Sequence, residues 1–147
     1  MSEAKTIIVG VDGSQPSLKA LRWAADQAAA ENAELVVLCA WSVSPSPAAT
    51  PDFSYSVHAG GESSADQAKN RLMGAITEVL GENPRVVVQP EVKEGGAAKV
   101  LIEAATERRA DLLVVGTRGL GGFGGLLLGS VSQHVAVHAG CTVVIVR

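Results

Sequence analysis

The chain has 147 residues, 47% of them hydrophobic, enough to bury one core and too few to divide into two ordinary domains. Its 15 acidic and 12 basic side chains give a formal charge of −3, so no dense positive field exists to release counterions from a nucleic acid, and none is expected as a partner. No run approaches the ~20 apolar residues of a membrane helix, and Met1 to Gly10 lacks the basic start and apolar core of a secretory signal, so no membrane partner and a cytoplasmic location are expected.

The first strand is expected over Lys5 to Val11, where Ile7, Ile8 and Val9 form the near-continuous apolar run of a strand buried on both faces. Ser14 then caps a helix with Pro16 in its first turn, and Leu18, Leu21, Ala25 and Ala28 recur at helical spacing. A second strand, Glu34 to Trp41, leads into a Pro- and Ser-rich stretch, Ser42 to Gly61, read as a loop that is either a flap over a site or simply mobile. Ala68, Leu72, Ala75, Ile76 and Val79 mark a second helix ending near Gly81.

Arg85 to Val92 reads as a third strand, which Pro90 confines to a sheet edge because it lacks a ladder amide. A third helix carries Ala97, Val100, Leu101, Ala104 and Ala105; a fourth strand spans Leu112 to Val115, a fourth helix Ser130 to Ala139, and a last strand Thr142 to Val146. This alternation calls for a single α/β domain, a doubly wound five-stranded parallel sheet of order 3-2-1-4-5 with helices on both faces. Ligands of such sheets bind beyond the strand ends where the winding reverses, here between the first and fourth strands.

The segments leaving that switch point are Val11-Asp12-Gly13-Ser14 and Val115-Gly116-Thr117-Arg118-Gly119, the second running on to Gly129-Ser130 with seven glycines from Gly116 to Gly129. Glycines allow close backbone approach, and Ser130 opens a helix whose amides and dipole favour an anion, so phosphate is the expected ligand. A flexible connection is the alternative for such a stretch taken alone; its place at the switch favours binding. There is no G-x-x-x-x-G-K-[ST], and the G-x-G-x-x-G formed by Gly119, Gly121 and Gly124 follows the wrong strand, with no acidic residue about 20 positions later to hold a ribose.

Gly116-x-x-Gly119, nine residues and Gly129-Ser130 reproduce a G-x2-G-x9-G-[ST] pattern, and with it the chain resembles the ATP-binding members of the universal stress protein family. The likeness runs from Ile7-Ile8-Val9-Gly10-Val11-Asp12-Gly13-Ser14 through Ala110-Asp111-Leu112-Leu113-Val114-Val115-Gly116 to Val143-Val144-Ile145-Val146-Arg147. It implies ATP as ligand, with Mg2+ or Mn2+ held by the phosphates. By the same resemblance Val11 and Asp12 contact adenine and ribose, Ala40 reads adenine through its backbone, and Gly116 and Gly119, following Val115, support ribose and the first phosphates. Gly129, Ser130, Val131 and Ser132 hold the phosphate chain. Thr142 stands where many members have proline, a departure that touches the last strand rather than the site.

Asp12 can instead serve the turn before Gly13, Ser130 can cap its helix while binding phosphate, and Arg118 either pairs with phosphates or lies in solvent. His134 and His138 are four apart on a helix, but with no third ligand and His138 on the face of Val131 and Val135, a partly buried histidine rather than a metal site is expected. Trp23 and Trp41 are expected to pack, with Trp41 close enough to Ala40 to line an adenine pocket. Cys39 and Cys141 are expected to be buried, reduced thiols. No nucleophile elbow or dedicated base occurs, so ATP turnover is expected to be slow or absent.

The last strand has no lysine or proline to block its open edge, and family members resemble one another in dimerising through it, which implies a homodimer through Thr142 to Val146. The expected function is a nucleotide-responsive dimer that regulates an unknown downstream protein in stress or growth arrest. The alternatives are a cyclic-AMP-binding signalling protein, an adenylyl-transferring enzyme, for which basic and acidic groups around the phosphates are lacking, and a ligand-free dimerisation module.

Overall fold

The computed structural model describes residues 3–42, 65–117 and 128–147. Its strands are β1 (Thr6–Gly10), β2 (Glu34–Trp41), β3 (Val88–Glu94), β4 (Leu112–Gly116) and β5 (Thr142–Val146), alternating with helices α1 (Gln15–Glu31), α2 (Ala65–Leu80), α3 (Ala97–Glu107) and α4 (Ser130–His138). The strands pair in the order β3-β2-β1-β4-β5, all parallel, with Val9 opposite Val37 on one side and Val114 on the other. This is the expected doubly wound sheet.

Alternation along each strand feeds two cores. Ile7, Val9, Val11, Leu35, Val37 and Cys39 point toward α1 and α2, where Leu21, Ala24, Leu72 and Ile76 cover them. Ile8, Val36, Leu38, Ala40, Leu113 and Val115 point the other way, against Leu101, Ala104, Val131 and Val135 of α3 and α4. The apolar runs of β1 and β2 are continuous because both faces are roofed.

Helix α1 begins as its sequence dictates. Ser14 Oγ accepts from Ser17 N–H (3.4 Å), Pro16 occupies the first turn, and the helix ends where Asn32 turns left-handed (φ 52°) and its N–H returns to Ala28 O.

Five expectations need correction. The first strand is one residue shorter at each end than Lys5 to Val11, and the third is displaced from Arg85–Val92 to Val88–Glu94. On this edge the partner decides the register: β2 pairs over its length, from Leu35 opposite Val88 to Trp41 opposite Glu94, which draws polar residues into the strand and leaves Val87 68% exposed. Arg108, just beyond α3, fixes that choice with an ion pair to Glu91 and a 3.1 Å bond to Gln89 Oε1. Pro90 sits on the edge as expected.

The other three concern exposure. His138 is exposed, not partly buried, because α4 buries Val131, Ser132 and Val135 and its last residue stands clear of the sheet. Trp23 is 36% exposed on α1, and Cys141 is only half-buried.

Candidate functional site at the switch point

β1 and β4 lie side by side, and the Val9 to Val114 register carries Asp12 and Thr117 to equivalent positions just past the two strand ends. The chain then leaves in opposite directions, from β1 into α1 on one face and from β4 toward α4 on the other, which opens a crevice between them.

Val11 is buried and its N–H donates to Leu38 O (2.9 Å). Asp12 is 1% exposed. Its Oδ1 accepts from Ser14 N–H (2.8 Å), its own N–H donates to Ser17 Oγ (3.3 Å), and Gly13 supplies the positive φ (88°) of the turn. The turn role is therefore real. The bond from Ser14 occupies one lone-pair position of that carboxylate.

Arg71 of α2 was not singled out from the sequence. Its Nη1 donates to Asp12 O (3.1 Å) and its aliphatic stem passes 3.4 Å from where a Cβ on Gly13 would stand. Its charge also reaches the buried Cys39, whose thiol is pushed up to about 11 by burial, with Arg71 opposing the rise and Asp12 adding to it. No local motif marks Arg71: 59 residues separate it from Asp12, and only the docking of α2 on the sheet brings them together.

Across the crevice, Val115 is buried and Gly116 ends β4. A Cβ on Gly116 would lie 2.7 Å from Pro16 O, so glycine here permits the close approach of β4 to the first turn of α1. Thr117 and Gly129, which bound the glycine-rich segment, are joined by Gly129 N–H to Thr117 O (2.6 Å). Arg118 and Gly119, with Gly121, Gly122, Gly124 and Gly125, lie outside the described residues, as does the Ser42 to Gly61 stretch beyond Ser42.

α4 starts with Gly129 as its N-cap, without a side-chain cap bond, and Ser130 is its first, exposed residue. Val131 packs inward. Ser132 is 1% exposed, and its Oγ lies 2.6 Å from Gly116 O and 3.0 Å from Thr117 O, sharing its proton between them. That hydroxyl clamps α4 to the end of β4. Ala40 is buried on the same side of the sheet, whereas Trp41 packs on the opposite core.

α3 also begins here, after a turn in which Gly95 (φ 135°) donates to Trp41 O (2.8 Å) and Gly96 serves as N-cap without a side-chain bond. Gly96, Ala97, Ala98 and Lys99 face Ser130, Val131 and His134 across a cleft of about 260 Å³. Two helix N-termini and a lysine thus give the cleft a positive character. Two larger grooves, of about 350 and 460 Å³, lie over α1 and α2, away from this chemistry.

Among the described residues no three His, Cys, Asp or Glu side chains come together to hold a metal. No described helix is long and apolar enough to cross a membrane.

The family model described as "Universal stress protein family" matches residues 3–147. A universal stress protein of Thermus aquaticus is 36% identical over 143 residues, covering 97% of this chain and 98% of its own. One of Mycolicibacterium smegmatis is 34% identical over 148 residues, and there the chain spans only 47% of the relative's length. Among solved structures, a universal stress protein in complex with cAMP is similar at 34% identity and a TM-score of 0.62, covering 99% of this chain and 98% of that one.

Proposed function

The chain belongs to the universal stress protein family, and on that premise we propose that its switch-point crevice binds ATP and that the protein acts by binding rather than catalysis. The observation that carries this reading is the pinning of Thr117 to Gly129 at 2.6 Å beside the N-terminus of α4. It gathers the ends of a seven-glycine segment next to a helix N-terminus, whose dipole and amides suit a chain of phosphates. Asp12 is the group for ribose hydroxyls, and Ala40 lies at the β2 end where a base would stack. Mg2+ or Mn2+ would be held by the phosphates.

The open edge of β5, whose residues from Val143 to Val146 are half-exposed, supports a homodimer paired through that strand. In this reading the nucleotide changes the surface the dimer offers to a downstream protein in stress or growth arrest.

A second reading, cyclic AMP as the ligand, is favoured by one observation: the 34% identical structure holds cAMP. The two readings differ in what the α4 terminus is for. ATP places three phosphates there and cyclic AMP one, so ATP depends more heavily on Gly129 and Ser130.

The test is mass spectrometry of nucleotide released by heat from the purified protein, with calorimetric titration of ATP, ADP and cyclic AMP into wild type and Gly129→Ala. Gly129 has an ordinary extended conformation (φ −79°, ψ 172°), so alanine fits the backbone. Tight ATP binding that the variant loses supports the first reading. Cyclic AMP bound more tightly than ATP moves the weight to the second, and a folded wild type that binds no adenine nucleotide overturns both.

A further inference from the structure

α4 carries a feature that the nucleotide reading does not use. His134 and His138 stand one turn apart on its outer side, both exposed, with ring centroids 4.6 Å apart and planes tilted by 44°. Since Val131 and Val135 occupy the inner face, neither imidazole is committed to the core. An ion ~2 Å from one nitrogen of each ring sits ~3.2 Å from each ring centre, so two rings at ~90 to 110° about it have centres ~4.5 to 5.2 Å apart. The observed separation falls inside that interval, and chelation asks for no rearrangement of the helix.

We propose that His134 and His138 form a two-imidazole chelate for a borderline divalent transition-metal ion of the Cu2+, Ni2+ and Zn2+ class. Imidazole nitrogens suit these ions and not Mg2+ or Ca2+. No third His, Cys, Asp or Glu joins the pair among the described residues, so water completes the coordination and the ion exchanges readily, unlike the closed four-ligand sites of structural zinc. The chelate spans the second half of a nine-residue helix. Holding both imidazoles in one geometry stabilises α4, because the unfolded chain presents no such pair and an ion bound to the native state raises its stability by linkage.

His134 also lines the cleft at the start of α4, so nucleotide is left out of the test. Its test is calorimetric titration of NiCl2 into untagged protein in nucleotide-free buffer, for wild type, His134→Ala, His138→Ala and His58→Ala. One ion per chain is expected, with affinity reduced on the order of 100-fold by either of the first two substitutions, because each removes the intramolecular second ligand, and unchanged by the third. Proton NMR of the wild type provides a readout that needs no variant: substoichiometric Ni2+ broadens the His134 and His138 ring signals together and before others. Affinity insensitive to both substitutions, a loss on only one of them, or uniform broadening overturns the chelate.

Discussion

Replacing Gly116 with alanine tests whether this glycine is required for packing as well as for a ligand. The added Cβ would lie 2.7 Å from Pro16 O, 2.8 Å from Pro16 C and 3.0 Å from Pro16 Cβ. Two of the three atoms are backbone, so no side-chain rotation relieves the contact, and β4 and the start of α1 must part by roughly half an ångström, an overpacking that costs ~1 to 3 kcal/mol. For a chain of this size that corresponds to a fall in Tm of ~2 to 12 °C. Gly140→Ala is the control, since a Cβ there meets nothing within 4 Å and is expected to change stability by no more than ~0.5 kcal/mol. Urea and thermal unfolding of both variants, read against wild type, are the assay. If Gly116→Ala melts with wild type, or no lower than Gly140→Ala, the close approach of β4 to Pro16 does not constrain the fold and the reasoning fails.

Ser132→Ala removes the shared hydrogen bond to Gly116 O and Thr117 O; with the site buried, a loss of ~1 to 2 kcal/mol in urea unfolding is expected, and nucleotide affinity falls with it as α4 loosens from β4. Cys39 gives a pH signature: its thiol is raised from 9.0 to about 11 by burial, so the folded state binds its proton more tightly than the unfolded state does. That contribution is fully present below pH 9 and is lost as pH rises from about 9 to about 11. Unfolding free energy measured across that window is expected to decline, and a Cys39→Ala protein whose decline is equally steep would remove the thiol as its cause.

The topology was legible because its signals are local and mutually consistent. Apolar runs such as Ile7-Ile8-Val9 demand cover on both faces, Pro90 marks an edge, and Ser14 and Gly129 punctuate helices where the fold uses them. The edge strand was displaced because its pairing is decided by β2 and by Arg108, neither of which lies within it. His138 was misjudged for a related reason. Shared spacing with Val131 and Val135 defines a stripe, but the nine-residue helix buries those two and leaves its last position in solvent. At the candidate site, Asp12 was singled out by its place after β1, and Gly116 and Ser132 by the resemblance, while the structural parts that Gly116 and Ser132 play were hidden: the contact with Pro16 and the bonds across 15 and 16 residues exist only after the helices dock. Arg71 was invisible on the same grounds.

Thr117 joins the two halves of the proposed function. Its carbonyl accepts from Gly129 N–H at the N-terminal end of α4, and its own N–H donates to Val146 O at the end of β5 (3.1 Å). A ligand that draws Gly129 and Thr117 together therefore acts one hydrogen bond away from the strand proposed to pair between subunits. Such a contact transmits an effect only if the nucleotide binds the dimer and the monomer with different affinity. Linkage then makes the effect reciprocal: whatever factor nucleotide adds to dimer affinity, dimerisation adds to nucleotide affinity. Sedimentation with and without ATP, paired with ATP titrations at protein concentrations spanning the dimer transition, is expected to return the same factor from both directions. A nucleotide affinity that stays constant across that transition would mean that the bond from Thr117 to β5 is structural and that the response to nucleotide leaves the dimer by another route.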